Sequence, residues 1–257
     1  MALEIARKLT PEEEELAAKR EELARLEAEL ADRELALASL KAELAAFEGE
    51  YLRRVGVLYA ELDEWYARIA ELDAERDGTP EARSKAAEAR SQADDAHSAA
   101  HGEAAAVQPF VPSPELRSLY REAAKRVHPD TATDEADRAR RERLMKEVNA
   151  AYAAGDEAAL RRILADLDTS PAEVQGSGVG AELVRVLRQL KQLRNRIAAI
   201  DFEIAGISEA DLAKLKAQAE LAAAQGRSLF AEMETSVHGR LKAVQQQFEK
   251  RSKRVGK

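Results

Sequence analysis

Cysteine is absent from this sequence, and aromatic residues make up only 4% of it. Without cysteine the chain can form neither a disulfide framework nor a thiolate metal site, and it offers no cysteine nucleophile. So few aromatic side chains in a chain that is 34% charged predict long helices instead of one large globular core. No run approaches the roughly 20 apolar residues that a membrane-spanning helix needs.

Location and partners are also constrained by what is missing. The opening stretch MALEIARKLTPEEEE has no apolar core of signal-peptide length, so we expect a cytoplasmic protein. A net charge of −8 disfavours a general nucleic-acid binder. With four histidines and no cysteine nucleophile, we assign no catalytic residue, cofactor or metal and do not expect an enzyme.

A heptad pattern dominates the first third of the chain. Thr10 and Pro11, followed by four glutamates, predict a helix start. Apolar residues then recur in steps of three and four, which predicts a coiled-coil helix over 11–77. The seam over 16–47 has no obvious partner, so we expect a homodimer through it. The alternative is a C-terminal hairpin that covers the seam within one chain.

Two irregularities interrupt that seam. The extra step of four from Tyr51 to Val55 is a stutter, which would locally unwind a supercoil. Arg33 falls on the seam between Leu30 and Leu37, which predicts pairing of only moderate strength.

After a break at 77–80, the alanine-rich stretch 81–106 predicts a helix that packs back against 55–72. His97 and His101 lie four residues apart on one face of this helix, as metal-ligating histidines can. Because no third ligand is evident, we favour two exposed histidines over a metal site.

Residues 114–154 predict two short amphipathic helices joined by a turn. The first helix ends before Pro129, because proline cannot donate a backbone hydrogen bond and disfavours helical dihedrals at His128. His128 and Asp130 are therefore expected on an exposed turn. The second helix begins among the acidic and hydroxyl side chains of 133–137, which suit a helix N-terminus.

A family resemblance depends on the tripeptide His128-Pro129-Asp130 and its surroundings. With MKEVNAAY over 145–152, the segment resembles the J-domain of the DnaJ-like co-chaperones, whose second and third helices form an antiparallel pair with His-Pro-Asp at the tip. The residues that precede the tripeptide at the family's offsets are Leu116, Tyr120, Arg121, Ala124 and Arg126.

One departure from the family is the absence of its tyrosine-rich first helix. In its place stands AVQPFVPS, which is too proline-rich for a helix. We expect Phe110, or the helix after Gly155, to cover the apolar face that the missing helix would cover.

The resemblance implies a partner: an ATP-dependent chaperone of the seventy-kilodalton heat-shock class, whose ATP hydrolysis the J-domain stimulates. Flanking helices would bind an unidentified client or mediate assembly. The implied chaperone-binding residues are His128, Pro129 and Asp130 at the docking tip, with Arg117, Arg121, Lys125 and Arg126 supplying complementary charge. A purely structural role for Asp130 is to cap the next turn, and both roles can coexist. The competing function is a coiled-coil scaffold or tether whose J-like fold is not coupled to a chaperone.

The last third predicts a linker and an antiparallel helical hairpin. Glycines at 176, 178 and 180 precede a helix, but without a preceding strand they indicate a linker and not a phosphate-binding loop. A heptad seam over 183–204 and a last helix, capped by Ser208 with Asp211, would form the hairpin.

The chain ends in a basic tail. The helix dipole is a sufficient reason for such cations; a nucleic-acid or membrane-surface contact and attraction to the acidic arm are the alternatives. The basic residues of the tail are Arg240, Lys242, Lys250, Arg251, Lys253, Arg254 and Lys257.

The sequence as a whole predicts an all-α protein in three parts. They are a coiled-coil arm with its helical return over 1–107, a J-like domain over 108–169, and the linker with its C-terminal hairpin over 170–257.

Overall fold

The computed structural model describes residues 10–132, 134–168 and 178–255, and this part of the chain is helical without a strand. The all-α prediction is confirmed. None of the helices in these ranges combines the length and apolar character needed to cross a bilayer. The helices are α1 (Pro11–Tyr51), α2 (Val57–Asp77), α3 (Pro80–His101), α4 (Glu103–Ala106), α5 (Pro114–Val127), α6 (Glu135–Ala153), α7 (Glu157–Asp168), α8 (Val179–Ser208), α9 (Asp211–Ala224) and α10 (Leu229–Val255).

Two predicted helix starts are confirmed by their caps. The hydroxyl of Thr10 accepts a hydrogen bond from the Glu13 N–H at 3.3 Å, and the Glu13 carboxylate accepts one from the Thr10 N–H at 2.8 Å. This reciprocal pair is a capping box. Thr79 caps α3 by a single hydrogen bond, which its hydroxyl accepts from the Ala82 N–H at 3.2 Å, with Pro80 at the first helical position.

The predicted stutter coincides with a π-helix over Leu52–Gly56, which joins α1 to α2. A π-turn accommodates one extra residue, so it absorbs the additional step in the seam and leaves Val55 fully buried. Beside it, the Arg53 guanidinium donates to the Val107 carbonyl at 2.6 Å. The backbone at Gly49 is close enough that a Cβ there would lie 2.8 Å from the same carbonyl oxygen.

The chain divides into two compact units, each built from two separate stretches of sequence. Unit 1 takes its described residues from Met1–Ala42 and Phe110–Ser208, and unit 2 from Glu43–Pro109 and Glu209–Lys257. Helix α1 contributes to both units. The three predicted parts therefore do not coincide with the units.

The core of unit 1 forms where α5, α6 and α7 meet, around fully buried Tyr120, Tyr152 and Leu160. The predicted cover for the face of the missing first helix is confirmed, because Phe110 and α7 both pack against this core. A third contributor to this core was not predicted. Helix α1 adds its own apolar residues to the same core: Ala31, Leu35 and Ala38.

The apolar seam at the start of α1 is covered within the chain by α8. Leu30 and Leu37 cluster with Leu193, Ile197 and Ile200, all buried. A second cluster joins Leu16 to Val186 and Leu190. The premise of the predicted homodimer, a seam without a partner in its own chain, is therefore wrong.

The seam of the last helix, on which the predicted C-terminal hairpin depends, is buried against α2. Val237 and Leu241 of α10 cluster with Leu62 and Ile69 of α2. The last helix is moreover two helices, since Gly226 adopts a left-handed backbone (φ 72°) that ends α9. The predicted Ser208 cap is not made, because Ala210 stands at the N-cap of α9.

Unit 2 also contains the predicted helical return. Helix α3 packs back on α2, and the Arg90 guanidinium donates to both Glu64 (2.5 Å) and Glu71 (2.8 Å). The predicted packing is confirmed, although the helix predicted over 81–106 is interrupted at Gly102, between α3 and α4. In the basic tail, Arg251 forms an ion pair with Asp73 of α2, which favours attraction to the acidic arm. The side chain of Arg254 and residue Lys257 lie outside the described residues.

Candidate functional site

The predicted turn forms directly after α5. His128 leaves the helix with an extended backbone (φ −63°, ψ 127°), and Pro129–Thr131 follow as a 3-10 turn. The Asp130 N–H donates to the His128 Nδ1 atom at 3.2 Å, and the Thr131 hydroxyl donates to the His128 carbonyl at 2.7 Å. The helix end predicted at Pro129 is confirmed, and these bonds fix the shape of the turn.

Arg141 of α6 braces the turn from the other side. Its guanidinium donates to the Arg126 carbonyl at 3.0 Å and to the Thr131 hydroxyl at 2.7 Å, and it pairs with Asp137 at 2.8 Å. Because it ties the end of α5 to the turn, Arg141 is a structural part of the site. Sequence reasoning missed it, since the arginine-rich run over 138–143 does not show which side chain points inward.

His128 is buried, with only 3% of its surface exposed. Its Nε2 lies 3.1 Å from the Oε1 atom of Glu34 in α1. Since Nδ1 already accepts the Asp130 N–H, Nε2 carries the proton and donates to the carboxylate. The prediction of an exposed His128 is therefore wrong, because α1 covers this side of the turn.

Glu34 joins the turn both to α1, to which it belongs, and to α8, which lies far from α1 in the sequence. The carboxylate is 5% exposed, and it also accepts a hydrogen bond from Arg196 of α8 at 2.7 Å. Burial by itself would raise the pKa of Glu34, but the hydrogen bond from His128 and the charge of Arg196 outweigh burial and hold that pKa below its usual range. The carboxylate is thus ionised at neutral pH, and its Oε1 atom accepts hydrogen bonds from both His128 and Arg196.

Pro129 and Asp130 form the part of the tip that remains at the surface. The Asp130 side chain is 18% exposed and lies 3.6 Å from Arg138. A pocket opens beside it, and α8 reaches this pocket through Gln192. Asp134, which starts α6 by capping the Asp137 N–H at 2.8 Å, forms another part of the wall. The tip therefore presents a carboxylate, while the histidine behind it holds the loop.

The predicted basic residues of α5 differ in their surroundings. Arg117 and Lys125 are exposed. Arg121 pairs with Asp32 of α1 at 2.6 Å, and Arg126 lies 3.7 Å from Glu122. Both pairs are solvent-accessible, so each is of modest strength and can exchange for another partner.

Other candidates from the sequence do not join this site. His97 and His101 stack on each other with ring centroids 4.2 Å apart and are exposed. Across the described ranges, no group of three or more histidine, aspartate or glutamate side chains could hold a metal ion. Gly176 lies outside these ranges.

Comparison of the chain with protein-family models, with curated proteins and with solved structures finds no match. The site must therefore be judged by its own geometry.

The Glu34 carboxylate makes unit 1 sensitive to acid. Its folded-state pKa is lowered, so its stabilising contribution is present above the unfolded value near 4.5 and is lost as pH falls through the folded pKa. We expect the stability difference between the unmodified protein and a Glu34→Gln variant to shrink steadily as pH drops below about 4.5. Urea denaturation of both proteins at a series of pH values measures it, and a constant difference would contradict the assignment.

Proposed function

We propose that this protein is a co-chaperone that docks on an ATP-dependent chaperone of the seventy-kilodalton heat-shock class and stimulates its ATP hydrolysis. The observation that carries the proposal is the tip itself, a partly exposed Asp130 carboxylate at the apex of a 3-10 turn between two packed helices. The chemistry belongs to the partner, and this chain supplies a docking surface. The flanking helices bind the client or mediate assembly.

Contacts between α5 and α6 support an antiparallel pair with the tip at one end. Arg126, at the end of α5, contacts Arg141 near the start of α6. Tyr120, farther from the tip, donates to Asn149 at 2.7 Å. Earlier residues of α5 therefore meet later residues of α6. This antiparallel order is the one that the resemblance implies for the second and third helices of a J-domain.

The proposal assigns different roles to the residues of the tip. Asp130 and Pro129 meet the chaperone, and His128 is a positioning residue that holds the Asp130 N–H from inside the turn. Arg117 and Lys125 are exposed cations on α5 that would speed encounter with an acidic surface.

A scaffold or tether without chaperone coupling is the second candidate function. The burial of His128 against Glu34 favours this second function, because the contact inside the fold accounts for the histidine without a chaperone. The two functions differ in what they predict for ATP hydrolysis by the chaperone.

The decisive experiment is single-turnover ATP hydrolysis by the chaperone with and without this protein. We expect the unmodified protein to accelerate hydrolysis and Asp130→Asn to return it to the basal rate, because the substitution keeps the shape and removes the charge. Thermal stability should not change, since the 3.6 Å contact with Arg138 is weak.

A matched control removes a charge elsewhere on the same domain. Glu147 is exposed on α6, and Glu147→Gln should stimulate as well as the unmodified protein. Equal stimulation by Asp130→Asn would show that the tip is not the docking surface.

A further inference from the structure

The tip is held by two helices that do not belong to the J-like segment. Glu34 of α1 accepts hydrogen bonds from both His128 and Arg196 of α8, at 3.1 Å and 2.7 Å. Helix α8 also contacts the 3-10 turn and reaches the pocket beside Asp130 through Gln192. The face of the turn next to His128 is therefore occupied by the protein's own helices.

Helix α8 is attached to α1 by two apolar clusters and a rim of exposed ion pairs. The clusters bury apolar residues of α8 from Val186 to Ile200, while Phe202 on the same helix is 82% exposed. Exposed ion pairs of this kind contribute little to stability. The pairs are Arg20 with Glu182, Glu22 with Arg194, Arg33 with Asp201 and Lys41 with Glu203.

Within the described ranges, the one buried ionic contact between α1 and α8 is thus the one at the tip. Glu34 is the only buried carboxylate of these ranges, and its two side-chain partners are His128 and Arg196 of α8. A buried charge that loses one partner destabilises its site far more than an exposed one does. The contact therefore couples the position of α8 to the environment of His128.

We propose that α8, locked by the Arg196–Glu34–His128 contact, is an inhibitory clamp that keeps the tip in a state of low docking activity. The clamp rests on the proposed co-chaperone function, because it limits that activity. Its release would free the pocket beside Asp130 from Gln192, and it would remove Arg196 from the Glu34 carboxylate that covers His128. Stimulation of the chaperone would then depend on the displacement of α8 from the tip.

The clamp is tested in the full-length chain with Arg196→Ala and with Arg194→Ala as the matched control. Both arginines lie on α8 and pair with a glutamate of α1, but only Arg196 reaches the tip. Glu34→Gln is a second opening variant, which keeps an acceptor for His128 and removes the charge that holds Arg196. Circular dichroism confirms that each variant is folded.

The first readout does not involve the chaperone. Diethyl pyrocarbonate modifies accessible imidazoles, and the exposed His97 and His101 serve as internal references for His128 in the same sample. We expect the rate at His128, relative to these two, to rise roughly fivefold or more in Arg196→Ala and to stay unchanged in Arg194→Ala. An unchanged rate in both opening variants would overturn the clamp.

The second readout is single-turnover ATP hydrolysis at a subsaturating concentration of this protein. Stimulation should rise roughly fivefold or more in Arg196→Ala but not in Arg194→Ala, and adding Asp130→Asn should abolish it. If all proteins with Asp130 stimulate equally, the clamp is overturned and the proposed function stands. If His128 is uncovered but no variant stimulates, the proposed function is overturned, and the inhibitory role with it.

Discussion

Replacement of Glu34 by alanine is expected to lower the free energy of unfolding of unit 1 by about 2–3 kcal/mol. The substitution leaves the Nε2–H group of His128 buried without its acceptor, at a position that is 3% exposed. An unsatisfied buried donor is the costly part, because Arg196 is partly exposed and can turn to water. Urea denaturation followed by far-ultraviolet circular dichroism measures the change.

Glu29 provides the control for this substitution. It lies on the same helix and is exposed, so Glu29→Ala should change the free energy of unfolding by no more than about 0.5 kcal/mol. A loss at Glu34 no larger than the loss at Glu29 would mean that the carboxylate does not hold the tip.

Replacement of Gly49 by alanine is expected to destabilise unit 2 by up to about 2 kcal/mol. The new Cβ would lie 2.8 Å from the Val107 carbonyl oxygen and 2.9 Å from that of Ala104, so backbone must move. The cost of overpacking, about 1–3 kcal/mol, exceeds the roughly 1 kcal/mol that alanine gains over glycine inside a helix. The shift would also disturb the hydrogen bond from Arg53 to Val107.

The fluorescence of Trp65 reports on unit 2 alone, because it is the single tryptophan and packs edge-on against Phe248 in that unit. Gly239 is the matched control: it lies inside α10 with open space around it, so Gly239→Ala should stabilise unit 2 by about 0.5–1 kcal/mol. The two glycine substitutions should therefore shift the Trp65 transition in opposite directions. Shifts of the same sign would contradict the close approach at Gly49.

Local features of the fold could be predicted because each depends on a few neighbouring residues. Thr10 and Thr79 cap their helices as their side chains predict, and Pro129 ends α5. The stutter between Tyr51 and Val55 predicted a local unwinding, and the π-helix lies there, since a seam with an extra residue cannot stay in register with a regular α-helix.

The pairing of distant helices could not be predicted in the same way. Heptad seams of leucine and alanine are nearly interchangeable, so the sequence does not show that Leu30 meets Leu193 or that Leu62 meets Leu241. Charge pairs such as Lys41 with Glu203 are consistent with the pairing only once it is known. The homodimer and the C-terminal hairpin were both inferred from seams that have other partners in the chain.

The burial of His128 against Glu34 of α1 was not predicted, for a related reason. The seam steps directly from Leu30 to Leu37, and Arg33 was placed at the intervening position. In the structure Arg33 is exposed and pairs with Asp201, while Glu34 is the buried residue. A glutamate in a charge-rich helix looks like a surface residue, and only the positions of His128 and Arg196 explain its burial.

The pairing of α1 with α8 has a consequence for how the protein is made. Leu30 and its partner Leu193 are separated by most of the chain. At the roughly 5–20 residues per second of protein synthesis, that partner leaves the ribosome about 10–30 s after the seam does. The nascent chain therefore carries an uncovered leucine stripe through most of its elongation, and unit 1 can close only late, through a contact of high sequence separation that is slow to form.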